Sequence, residues 1–387
     1  PAIVGEMLAG VLLGPSVLNL IQPNDALSGI AQLAVFLVVL AAGLEMDFQR
    51  VMSAMRGRGM VVATLGFVLP FGGGLLIAWA YELDSMRTVF MGLCIAITAL
   101  PVAARMLADM GMLDTPIARY AIATAVLNDV VALFILGVIL ALPPDSGAGD
   151  LLTSGLTACL KLLGLLALVI SANLFIRWLE RRGISLSSVS ERLVGTFGAE
   201  ALFGMVVVFV LFFGTVSENL GFHFVIGAFF GALLLDRRQF APKRFEDLKR
   251  TLTSVTAGFL SPIFFADLGL DFSFRAFGQI DFMVVVLLVS VLTKLIAGWW
   301  GGRMIGMSNR EAFGLGAVLN GRGVMELVVA TIAYDRGFIG PTLFSVLVLM
   351  GVVTTVLSPV LLNAALGREA RADYAARHRS PPGPQDR

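Results

Sequence analysis

Long apolar runs separated by short polar gaps organise the whole chain. They fall at 3–20, 30–47, 58–80, 87–108, 116–141, 153–178, 198–219, 222–236, 253–270, 281–301, 311–333 and 341–362. An α-helix rises about 1.5 Å per residue, so runs of about 20 residues reach across a hydrocarbon layer about 30 Å thick. The pattern predicts an all-α, polytopic membrane protein with 12 spans. Several runs carry Gly or Pro at mid-depth, which a membrane tolerates only where neighbouring protein or a watery cavity satisfies the freed backbone groups.

Within this apolar background the polar positions stand out. The run at 116–141 carries Asn128 and Asp129 side by side near its middle. An ionisable group at that depth costs about 2.5–3.5 kcal/mol on insertion scales, which points to an ion path, a proton relay or a buried partner. An aspartate merely bonded to a neighbouring helix is the plain alternative. Thr98, Lys294 and Arg322 share the same predicted depth, and grouping them around one cavity spares each charge an unpaired burial. Glu326 lies four residues after Arg322, on the same face if that helix is continuous, so the two can neutralise each other.

A repeat runs through the chain with an offset of about 225 residues. Gly43-Leu44-Glu45-Met46-Asp47-Phe48 returns as Gly269-Leu270-Asp271-Phe272, and Asp114-Thr115-Pro116 has a counterpart in Ile339-Gly340-Pro341. An odd number of spans separates the copies, so they enter the membrane from opposite sides, the inverted-topology plan of secondary transporters. The same offset pairs the fourth run, interrupted at Pro101, with the eleventh, interrupted by Gly321 and Gly323. Two crossed, broken helices are predicted, presenting free carbonyls to a cation and free amides near a carboxylate. The domain plan is a first inverted repeat at 1–141 lacking its first helix, a linker helix and cytoplasmic loop at 142–197, a second repeat at 198–365 and a cytoplasmic disordered tail at 366–387.

Basic residues sort into alternate loops. Arg50, Arg56 and Arg58, then Arg181, Arg182 and Arg192, then Arg237, Arg238, Lys243, Arg244, Lys249 and Arg250 mark the cytoplasmic side, and Arg368, Arg371, Arg377 and Arg379 put the C-terminus there too. Composition agrees: 57% of residues are hydrophobic and 14% charged, and the net charge of +1 gives no footing for nucleic acid. Cys94 and Cys159 read as small apolar core residues, and with only His223 and His378 no metal cluster or Cys/His nucleophile pair can be assembled. No cofactor is expected. An intramembrane enzyme would want paired acids or a metal triad, and neither spacing is present.

Five motifs occur in order: Gly5-Glu6-Met7-Leu8-Ala9-Gly10-Val11-Leu12-Leu13-Gly14-Pro15-Ser16, Ala42-Gly43-Leu44-Glu45, Ile97-Thr98-Ala99-Leu100-Pro101-Val102-Ala103-Ala104-Arg105, Leu127-Asn128-Asp129-Val130, and Asn320-Gly321-Arg322-Gly323-Val324-Met325-Glu326-Leu327. On these residues the chain resembles the monovalent cation:proton antiporter-2 family, which includes bacterial potassium-efflux antiporters and plant cation/proton exchangers. The resemblance implies a thirteen-helix inverted-repeat fold, a homodimer formed by one domain, and a mobile core domain. It also implies a proton- and cation-carrying carboxylate at Asp129 and a core lysine at Lys294. The chain departs from the electrogenic sodium exporters, which have two adjacent aspartates where Asn128-Asp129 stands here.

The expectation is a carrier that exchanges K+ or Na+ for H+ across a bilayer by alternating access, electroneutrally, in a bacterial inner membrane. Asp129, Asn128 and Thr98 are expected to bind the monovalent cation and the proton, with Lys294, Arg322 and Glu326 as supporting charges and Pro101, Gly321 and Gly323 as helix breaks. A cation channel and a proton-coupled symporter on a similar fold are the alternatives.

Overall fold

The computed structural model describes residues 2–45, 57, 59–113, 115–140, 148–182, 186–235 and 239–367. In chain order its helices are α1 (Ala2–Leu13), α2 (Asp25–Glu45), α3 (Gly59–Ala80), α4 (Ser85–Ala96), α5 (Leu100–Asp109), α6 (Pro116–Leu140), α7 (Ala148–Arg181), α8 (Leu186–Phe197), α9 (Ala199–Asn219), α10 (Phe224–Leu233), α11 (Pro242–Val255), α12 (Ser261–Leu270), α13 (Ile280–Met304), α14 (Asn309–Leu319), α15 (Val324–Asp335) and α16 (Pro341–Leu366). A π-helical turn at Thr256–Leu260 joins α11 to α12, and a 3-10 turn at Phe274–Gln279 leads into α13. Met46, Asp47, Phe48, Asp114, the arginines at 50, 56, 58, 237 and 238, and the tail from 368 lie outside the described residues.

Among the described residues eight helical stretches are long and apolar enough to cross a membrane by themselves. The remaining predicted runs are served by shorter helices: α1, α10, and the two pairs α4/α5 and α14/α15. One predicted loop is different. Residues 242–252, read from their charges as a cytoplasmic loop, belong to α11, which places Phe245, Leu248 and Leu252 on one buried stripe. Spacings of three and four residues make this an amphipathic helix, whose charges occupy the opposite side.

The chain divides into two compact units. The first draws its described residues from Pro1–Val4, Val51–Ala132 and Asp271–Arg387, and the second from Gly5–Arg50 and Leu133–Leu270. Each unit therefore takes chain from both of the expected repeats.

Glycine contacts account for the close packing inside each unit. In the first, a Cβ on Gly298 of α13 would collide with the Cα and N of Gly316 in α14, and a Cβ on Gly74 of α3 would lie 2.6 Å from the Cα of Gly92 in α4. An apolar core of Val62, Ala103, Leu107, Ile117, Leu315 and Leu319, with their neighbours, ties α3, α5, α6 and α14 together. In the second, Gly10 of α1 meets the backbone of Ala266 in α12, and Gly227 of α10 meets the carbonyl of Phe213 in α9. Lipid tails are as apolar as the helices, so association relies on such close backbone approach rather than on hydrophobic exclusion. On α7, by contrast, Leu156, Leu160, Leu163, Leu174 and Phe175 are exposed.

Gly298→Val should therefore lower stability by about 2–3 kcal/mol, since backbone cannot yield as a side chain can. Gly204→Ala in α9, where a Cβ meets nothing within 4 Å, should be neutral or slightly stabilising. Thermal unfolding of both variants in one detergent compares them; equal midpoints would contradict the packing account.

Candidate cation and proton site

The site forms in the first unit where two interrupted helices cross. Helix α4 stops at Ala96, Ile97 turns to φ −62°, ψ 143°, and Ala99 remains extended at φ −75°, ψ 114° before α5 begins at Leu100. Pro101 was expected to break the helix by removing a donor. It stands instead in the first turn of α5, where its missing N–H costs nothing, and the break is the stretch preceding it. Helix α14 ends at Leu319 and α15 starts at Val324, leaving Asn320 to Gly323 between them. The two stretches bond to each other: Ala99 N–H donates to the Gly321 carbonyl at 3.0 Å, and Thr98 Oγ1 donates to the Leu319 carbonyl at 3.1 Å. Gly323 has an extended φ of −175°, so its role is room rather than conformational freedom. A Cβ there would come within 2.9 Å of Val102 and 3.0 Å of Ala99.

Stopping α4 in the interior frees its last carbonyls, and the partial negative charge there attracts cations. Lys294 and Arg322, both fully buried, supply them. Lys294 Nζ donates to the carbonyl of Ala96, to Thr98 Oγ1 at 2.7 Å and to the carbonyl of Gly66 at 3.1 Å. Arg322 donates through Nη1 to the Cys94 carbonyl and through Nη2 to that of Ile95 at 2.8 Å. Asn128 Nδ2 reaches the same oxygens as the lysine, Gly66 at 3.3 Å and Ala96 at 3.5 Å.

The carbonyl of Gly66 is available because Pro70, inside α3, has no N–H to offer the residue four positions earlier. Pro70 was a visible signal in the sequence that the expected site omitted. So were Thr124, four residues before Asn128, and Ser290, four before Lys294, each a buried hydroxyl on the same helical face as its charged or polar neighbour. That Gly66 is the shared acceptor only the packing of α3 against α13 reveals.

Asp129, 1% exposed, is built differently from Lys294: neither carboxylate oxygen receives a hydrogen bond among the described residues. Asn128 Oδ1, Thr124 Oγ1, Ser290 Oγ and Asn320 Oδ1 are likewise buried without a partner. Thus Thr98, Asn128, Lys294 and Arg322 converge on the end of α4, while the acid presents its oxygens free of protein donors. Glu326 joins this group through Arg322, at 3.5 Å between Oε2 and Nη1. Arg322 lies in the interrupted stretch and Glu326 in the first turn of α15, so the pair meets without a continuous helix between its members.

Interrupted helices that cross over a buried acid, in a chain of apolar spans, are the build of a membrane-embedded secondary transporter. Comparison with known sequences gives the family: the model described as "sodium/hydrogen exchanger, transmembrane" matches residues 1–366, and the chain belongs to that family. It is 26% identical over 384 residues to the Na(+)/H(+)-K(+) antiporter GerN of Bacillus cereus, covering 97% of this chain and 93% of the relative. It is 27% identical over 364 residues to a Na(+)/H(+) antiporter of Enterococcus hirae, covering 94% and 91%. The fold is shared with the sodium proton antiporter MjNhaP1 of Methanocaldococcus jannaschii, with a TM-score of 0.69 at 17% identity over 97% of this chain and 92% of that one. The chain is an integral membrane cation/proton exchanger, as the sequence motifs implied.

Two substitutions probe the crossing. Pro70→Ala returns an N–H to α3 that competes for the Gly66 carbonyl; it should leave thermal stability equal or higher yet slow exchange severalfold, and unchanged exchange would deny Gly66 its role. Gly323→Leu should impair exchange at least tenfold, whereas Val360→Phe on an exposed part of α16 should not; equal losses in vesicle flux would remove the crossing from the transport path.

Proposed function

We propose that the chain exchanges one Na+ or K+ for one H+ by alternating access, with Asp129 carrying proton and cation in turn and Asn128 and Thr98 contributing to the same site. The observation that carries this reading is the contrast between the two buried charges. Lys294 Nζ faces three oxygen acceptors, and Thr98 Oγ1 has already given its own proton to Leu319. Three acceptors match the three donors of an ammonium, so the lysine stays charged through the cycle. Asp129, whose oxygens have no protein donor, is the group free to trade a proton for a cation.

With Asn128 neutral, one carboxylate gives one proton per cation and no net charge moves. Protons and cations compete at Asp129, so the apparent cation affinity falls as the pH falls. The C-terminus is cytoplasmic by the loop charges, and a bacterial plasma membrane is the proposed location. The working form is a homodimer, by the family resemblance. A symporter or a channel differs in what drives it: a channel passes cations without a proton gradient, and a symporter moves both in one direction.

Proteoliposomes offered Na+ and K+ in turn test this. Asp129→Asn should lower exchange by at least a hundredfold while the protein stays folded; substantial residual exchange would remove Asp129 from the mechanism. Without a pH gradient, an imposed membrane potential should drive no exchange in the native chain. Potential-driven exchange that vanishes in Lys294→Gln would overturn the one-for-one reading and assign a second proton to the lysine.

A further inference from the structure

The mechanism above leaves one buried acid unused. Glu326 is fully buried, and neither Oε1 nor Oε2 receives a hydrogen bond among the described residues. Its cation is Arg322, at 3.5 Å, well beyond the about 2.7–2.9 Å of a charge-assisted bond. That guanidinium also donates through Nη1 to the Cys94 carbonyl and through Nη2 to the Ile95 carbonyl, while its Nε has no partner among the described residues. Glu326 and the end of α4 thus draw on the same charge.

We propose that Glu326 is a second proton-binding site, separate from Asp129, whose proton sets how firmly Arg322 holds the end of α4. The neighbouring helix provides the setting. Helix α16 approaches the carboxylate at Gly351, where a Cβ would stand 3.7 Å from both oxygens. Thr354, Thr355 and Ser358 follow at spacings of three, four and seven residues, on one helical face. Their hydroxyl protons are spent on main-chain carbonyls: Thr354 on Met350 at 2.7 Å, Ser358 on Thr354 at 2.8 Å, and Thr355 on Gly351 or Arg322, each at 2.7 Å. The hydroxyls that follow Gly351 on this face are thus turned to main-chain carbonyls and give no proton to an ionised Glu326. Thr355 also ties α16 to the interrupted stretch through Arg322.

Helix α15 packs against α4 and α16. The titratable and charged groups facing Glu326 are Arg322, Cys94 from α4 and Lys294 from α13, and α16 contributes none. Ionised, Glu326 shares the charge of Arg322 with the Cys94 and Ile95 carbonyls. Protonated, it leaves that charge to the two carbonyls alone, which strengthens the hold on the crossing that carries Thr98. The proton is resident rather than transported, because Arg322 balances the ionised acid in place. Its effect falls on the rate of exchange, not on the one-for-one stoichiometry.

Infrared difference spectra of the purified full chain, taken across a pH titration, read the C=O stretch of protonated buried carboxyls. Asp129→Asn should leave one such band, and the double variant Asp129→Asn/Glu326→Gln should lose it. No band in Asp129→Asn, or a band that survives in the double variant, would overturn the proposal. Both measurements are made where exchange is already abolished, so they succeed or fail independently of the role given to Asp129. If the glutamine variant does not fold, Gly351→Ala in the Asp129→Asn background keeps Arg322 and Glu326 and places a methyl against the carboxylate. It should displace the titration midpoint of the band by about half a pH unit or more. An unmoved midpoint there would equally overturn the proposal.

Discussion

The last carbonyls of α4 face the interior of a membrane protein, and their need for positive partners governs the site. Water is not there to satisfy them, and each unpaired group would cost several kcal/mol in hydrocarbon. Two full charges and an amide are recruited instead: Arg322 to Cys94 and Ile95, Lys294 to Ala96, Asn128 to Ala96. Those cations would be expensive to bury for their own sake. The interrupted helix and the buried charges are each tolerable because the other is present.

The second interrupted helix extends the same exchange of polar groups. Ala99 N–H bonds the Gly321 carbonyl and Thr98 Oγ1 that of Leu319, so the two interruptions satisfy part of each other's freed backbone. Gly323 allows the approach, and Pro70, a turn of helix after Gly66 in α3, leaves one more free carbonyl for Lys294 and Asn128. A site assembled from main-chain oxygens in this way holds its geometry through packing. Close glycine contacts such as Gly298 against Gly316 supply that packing where no hydrophobic exclusion operates.

The proposed exchange rests on the uneven division of hydrogen bonds among the buried ionisable groups. Lys294 has as many oxygen acceptors as an ammonium has protons, and Arg322 spans two carbonyls while its Nε has no partner among the described residues. Among the described residues no hydrogen bond reaches a carboxylate oxygen of Asp129, whereas Glu326 stands 3.5 Å from Arg322. In the proposed exchange Asp129 serves because a carboxylate locked to an arginine or a lysine could release neither a proton nor a cation to the opposite side.

Hydrophobic run length, the position of Asp129 and the five motifs were enough to determine an all-helical membrane exchanger of this family, because insertion into lipid restricts a chain to a few options and penalises every charge it carries. The interruptions at 97–99 and 320–323 were legible too, from Pro101 and from Gly321 and Gly323, although the proline marks the restart of a helix rather than its break. The amphipathic α11 was not, since its charges looked like a loop until Phe245, Leu248 and Leu252 were seen to share a buried stripe. Which oxygens meet which charges was decided by tertiary structure alone. Gly66 and Lys294 are 228 positions apart, as are Cys94 and Arg322, and nothing local to any of them encodes the other. Hydrogen bonds of a few ångströms between distant segments depend on how α3, α4, α13 and α14 pack, and packing is a property of the folded whole.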